Sequence, residues 1–176
     1  QRTLLGAAQE RWLADGWDLQ RPWNLLAQQT LMARFAWEDP AQGGLYWTDG
    51  WDGYAPARRR LLDTVADKRV PGVVVLGGDV HSNYVADLKA DWDDPKAAVV
   101  ASEFCGTSIS SLGLAQSRLD AALPFNPHVR WGRSDRRGYI RFALEPGRLQ
   151  VQLRTLRDAR DAASAIDTAA RFVVEA

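Results

Sequence analysis

Asp79 and His81 are the residues of this chain whose types and spacing most readily suggest chemistry. They follow the apolar run Val73-Val74-Val75-Leu76 and the glycine pair Gly77-Gly78, with one residue between them. In an extended chain, residues two apart point to the same side, so a carboxylate and an imidazole are expected to converge just beyond the strand end. Strand ends are where sites form in α/β folds. A carboxylate with an imidazole is half of a ligand set for zinc, iron or manganese. Gly77 and Gly78 let the backbone turn with no side chain in the way. The same Asp-x-His also suits an ion pair or a capped turn, and the spacing alone does not choose. His128, the other histidine, follows Asn126-Pro127 and reads either as a contact to substrate or a metal's outer shell, or as a turn residue. Cys105 is the single cysteine, so no disulfide forms within the chain, and its apolar flanks suit an inert core position.

Several elements must carry these residues. Gly72 to Leu76 reads as a strand buried on both faces, Asn83 to Leu88 as a second strand and Ala97 to Phe104 as a third. Apolar spacing predicts an amphipathic helix over Arg2 to Trp17 and another over Ala57 to Lys68, the latter with Pro56 near its start. Trp23 to Ala33 is open between strand and helix. Residues 36 to 53, rich in glycine and aromatics, read as a long ordered loop. A short helix is expected over 112 to 123. Gly138 to Leu144 and Arg148 to Leu156 alternate across Pro146-Gly147 as a hairpin, and Phe172 to Val174 reads as an edge strand. Buried parallel-type strands beside an antiparallel hairpin predict a mixed-sheet, layered α/β sandwich.

The 176 residues suit one domain or a large part of one, and 1–176 reads as a single unit. Formal net charge is zero and the basic residues form no block, so a nucleic acid or an anionic membrane surface has no electrostatic support. No run approaches the roughly 18 apolar residues of a membrane span. Six of eight tryptophans, Trp12, Trp17, Trp23, Trp37, Trp47 and Trp51, precede residue 52. They serve as core and loop anchors, or as an aromatic rim around a pocket or sugar-binding face.

Gly78-Asp79-Val80-His81-Ser82 resembles the last metal-binding motif of the PhoD-type alkaline phosphatases, within the metallophosphatase superfamily. Leu5-Gly6, Gln9 and Trp12-Leu13 resemble that family's Leu-Gly-x-x-Gln-x-x-Trp-Leu helix, and Trp51-Asp52-Gly53-Tyr54 with Arg58 its Trp-Asp-Gly-Tyr segment. Glu103-Phe104-Cys105-Gly106-Thr107-Ser108-Ile109, Asn126-Pro127-His128 and Arg137-Gly138-Tyr139 follow in family order. The matching motifs run from residue 5 to residue 139.

The resemblance implies the second half of a four-layer α/β/β/α metallophosphatase fold, with Asp79 and His81 as metal ligands and Asp52 as a further one. Beside Gly53, Asp52 also reads as an Asx-turn residue. Trp51 could pack under the site and fix that loop. Thr107-Ser108 reads as a phosphate donor pair or as a turn closure. The implied metals are iron and calcium, with zinc or manganese compatible with the residue types. The implied reaction is hydrolysis of a small phosphate ester, monoester or diester, by a metal-activated hydroxide. A periplasmic or extracellular setting is implied as well. The chain lacks an initiating methionine and the family's upstream motifs. It is therefore expected to be a C-terminal portion, inactive alone, exposing an apolar sheet face where a missing N-terminal half or a partner chain would pack. The alternatives are a non-catalytic half-fold interaction module and a carbohydrate-binding domain.

Overall fold

The computed structural model describes residues 2–176. Three strands run parallel in the larger sheet: β1 (Asn24–Ala27), β2 (Val73–Gly77) and β4 (Val99–Cys105). β3 (Asn83–Lys89) pairs antiparallel with β4 and with β5 (Val129–Arg133), giving the order β1-β2-β4-β3-β5. A second sheet is an antiparallel meander of β6 (Gly138–Glu145), β7 (Arg148–Leu156) and β8 (Ile166–Glu175). The expected strands and hairpin are present. β5 is an addition to them, and the predicted edge strand at Phe172 to Val174 extends to ten residues.

Alternation sets the layers. In β7, Leu149, Val151 and Leu153 are buried and meet Val74, Val85 and Phe104 of the larger sheet. The opposite face of that sheet packs α2 (Ala55–Asp67), whose Leu62 and Val65 lie against Val73, Val75 and Leu88. The result is three layers, helix on sheet on sheet. α1 (Ala7–Asp15) is shorter than the predicted span. Gly6, at φ +82°, lies just before its first turn and Gly16 just after its last. The expected bare apolar sheet face is not found among the described residues. The outward side of the small sheet carries Arg141, Gln150, Gln152, Arg154 and Arg171, because each alternates with a core residue. Exposed apolar side chains are scattered, with Trp12 on α1, Leu25 on β1, and Tyr139, Leu144, Ile166 and Val173 among the polar residues of the small sheet.

Residues 28–54 cross the ends of the parallel strands as an ordered loop, which contains the one expected at 36 to 53 and adds the part of Trp23 to Ala33 that follows β1. It contains short 3-10 turns at Pro40–Gln42 and Trp51–Tyr54. The short helix α3 (Gln116–Ala122) anchors Leu119 and Ala122 in the core beside it, and the expected extension back to residue 112 is loop.

Candidate active site

β2 ends at Gly77, where any side chain would collide with the Thr30 carbonyl. The chain then folds into a tight turn: Val80 N–H donates to the Gly78 carbonyl at 2.8 Å. Asp79 and His81 both adopt positive φ, 67° and 54°. Strand alternation therefore does not bring them together. Two left-handed residues flanking Val80 set their directions instead, at a backbone cost of about 1 kcal/mol each. Both side chains line one cleft of about 470 Å³.

The turn is held from behind. Gly106 N–H donates to the Gly77 carbonyl at 2.9 Å and the Cys105 thiol to the Gly78 carbonyl at 3.3 Å. Cys105 is buried and its thiol is pushed well up by that burial, so it stays protonated. Asn83 Oδ1 accepts from Thr107 N–H, and the Thr107 hydroxyl lies 3.1 Å from the His81 carbonyl. Thr107 thus closes the turn. Ser108 Oγ donates to the Ser111 carbonyl and accepts from Arg137, which also binds the Ser111 and Ser134 carbonyls. This fastens residues 108–113 onto the turn, and a side chain at Gly113 would strike the His81 carbonyl.

The Leu112 carbonyl lies 3.0 Å from His81 Nδ1. A carbonyl only accepts, so Nδ1 carries a proton, and in the neutral ring this leaves the lone pair on Nε2. Metal-binding histidines are oriented in this way. Asp79 is exposed, and among the described residues its carboxylate has no hydrogen bond or ion pair. Two donors of the right type therefore stand free in one cleft. Among the described residues, no three histidine, cysteine, aspartate or glutamate side chains gather around one point.

Asp52 lines the same cleft, but both its oxygens are engaged. Arg58 Nη1 is 2.6 Å from Oδ1, and Phe35 N–H donates to Oδ2 at 3.0 Å. Burial raises the Asp52 carboxyl against the opposing pull of Arg58. Trp51 is buried and its indole N–H donates to Gln28 Oε1 at 3.0 Å, which ties the two ends of the long loop.

Asp52 is one of a series of clamps on residues 30–36. Glu103 accepts from Met32 N–H and Ala33 N–H at 2.6 and 2.7 Å. Arg58 donates to the Met32 carbonyl. Asn126 binds both backbone groups of Ala36. His128 Nε2 lies 2.6 Å from the Arg34 carbonyl and its ring packs edge-on against Trp92. Burial lowers the His128 pKa to about 4, so it is neutral at pH 7 and Nε2–H donates. His128 lies outside the cleft lining. Glu103 is fully buried, and desolvation pushes its carboxyl up to about 7. Sequence reasoning misses Glu103, Arg58 and Asn126 as clamps. The signal it had was a glutamate inside an otherwise buried strand, a position that acids almost never occupy unpaired.

The exposed Asp79 and the oriented His81 therefore share one cleft beyond a strand end of a mixed, layered α/β fold. The comparisons give the family. The PhoD-like phosphatase family model matches residues 1–153. Alkaline phosphatase D of Bacillus subtilis (strain 168) is 35% identical over 178 residues, covering 99% of this chain and 30% of that protein. A solved structure of PhoD superposes with a TM-score of 0.92 at 34% identity, covering 99% of this chain and 34% of that one. The chain belongs to the PhoD-like phosphatase family and spans about a third of the length of these relatives.

Proposed function

We propose that this chain is the second half of the catalytic domain of a metal-dependent phosphoesterase, with Asp79 and His81 as its metal ligands. The observation that carries the reading is the free Nε2 of His81, set by the Leu112 carbonyl, beside the unpaired Asp79 carboxylate. Both donors suit iron or zinc, and the carboxylate alone suits calcium or manganese. Bound metal would neutralise a phosphate and lower the pKa of an attacking water.

The cleft's own charges favour such a reading. Asp49 and Asp79 would repel a phosphate dianion, so an anionic substrate needs cations beside them. The Leu112 carbonyl keeps the imidazole in the tautomer that coordinates through Nε2. The clamped wall at residues 30–36 holds one side of the cleft in a fixed shape. We read Asp52 as the anchor of that wall rather than as a third ligand, since a metal would have to displace Arg58 or Phe35 N–H. Remaining ligands would come from the part of the relatives' length that this chain does not span.

The test is hydrolysis of p-nitrophenyl phosphate by the full-length protein carrying these residues. Activity is expected to vanish with chelator and return with metal, and His81→Ala is expected to abolish it. Full activity in His81→Ala would overturn the assignment.

A further inference from the structure

The cleft is larger than a phosphoryl group requires; about 470 Å³ suits a ligand of drug-like size. Beyond Asp79 and His81 its wall is aromatic, with Phe35 and Trp37 packed edge to face at 4.8 Å and Trp47 65% exposed. Arg118 completes this wall. Its guanidinium carbon lies 5.1 Å from the centroid of the Trp37 ring. Among the described residues it is the only arginine or lysine lining the cleft, and its guanidinium makes no hydrogen bond or ion pair.

That isolation is informative. Most arginines near this site are occupied: Arg58 by Asp52, Arg34 by Asp93, Arg133 by Asp135, and Arg137 by backbone carbonyls. Arg118 is held in place by its helix, with Leu119 buried and Gln116 accepting from Ser134 N–H. A guanidinium laid on an indole is weakly hydrated and presents a planar fork that fits a carboxylate or a phosphate. We propose that Arg118, lying on Trp37, recognises a second anionic group on the leaving-group portion of the substrate. The substrates would then be phosphate esters that carry a further carboxylate or phosphate beyond an apolar or planar spacer. This rests on the phosphoesterase reading and names its substrate class.

Calorimetric binding of non-hydrolysable phosphonates to the metal-loaded full-length protein tests it. The probes are benzylphosphonate, 4-carboxybenzylphosphonate and p-xylylenediphosphonate. The unmodified protein is expected to favour at least one doubly functional probe over benzylphosphonate by about tenfold, and the probe with the larger preference identifies the anion. Arg118→Gln is expected to bring that ratio within about twofold, and Arg118→Lys to keep part of it. The ratio should also shrink as salt is raised. An unmodified protein that prefers neither charged probe would overturn the proposal, as would Arg118→Gln weakening all three probes by one factor. Because the readout is a ratio of affinities, it remains legible if turnover of phosphate esters fails.

Discussion

Two neighbouring parts of the cleft are built on opposite terms. The wall at residues 30–36 is an irregular segment whose backbone is held by buried side chains from distant parts of the chain: Glu103, Arg58, Asp52, Asn126 and His128. The turn at residues 78–82 is held by backbone groups with the Cys105 thiol and the Thr107 hydroxyl, and it leaves the Asp79 carboxylate and His81 Nε2 open. Polar groups that are buried and paired shape this cleft; those that are strained and unpaired are free to act in it. His128 and His81 show the contrast within one residue type, one neutral and enclosed, the other with a nitrogen free.

The largest expected effect breaks the open side. Asp79→Asn should lower kcat/KM in the full-length protein by about a thousandfold while leaving the thermal midpoint at or above its original value. Next comes the enclosed side. Asp52→Asn strands Arg58, which is 3% exposed, and should cost about 3 kcal/mol in denaturant unfolding. If Asp52 is an anchor, metal stoichiometry in that variant stays unchanged; loss of one equivalent of metal would make it a ligand.

Glu103 gives a pH test of the same wall. Its carboxyl stands at about 7 when folded, against an ordinary value of 4.5, chiefly through desolvation and partly through the nearby Asp52, with Arg58 and the two backbone donors opposing. The folded chain therefore holds this proton more tightly than the unfolded one. The contribution is full below pH 4.5 and is lost as pH rises through about 7, on the order of 3 kcal/mol at most. Glu103→Gln should flatten that slope in unfolding midpoints measured from pH 4 to 8. The smallest effect joins the two regions. Arg137→Gln loosens residues 108–113 and so the Leu112 carbonyl, and should lower activity about tenfold. A shifted pH–rate profile should accompany it, which mere loss of stability would not produce.

The strands and the hairpin are legible in the sequence because alternation and apolar runs are local signals. Val73 to Gly77 and Arg148 to Leu156 declare themselves within a few residues of their ends. Asp79 and His81 are legible as candidates, but they stand in a left-handed turn rather than in the extended chain expected, and share a cleft lining from there. No periodic pattern encodes positive φ at an aspartate or a histidine. The wall is illegible for a different reason: Glu103, Asn126 and His128 lie 70 to 94 residues away from the backbone they hold. β5 escapes because Val129–Arg133 is short and irregular, with Gly132 packed on Leu119 and Leu123.

The positive φ values at Asp79 and His81 bear on how this protein can change. Glycine would sit in either position more comfortably than the native side chain, by about 1 kcal/mol. A laboratory selection for heat tolerance alone would therefore drift toward glycine at both sites. On the proposed reading it would enrich robust, silent proteins, and a screen in this turn must score turnover and endurance together.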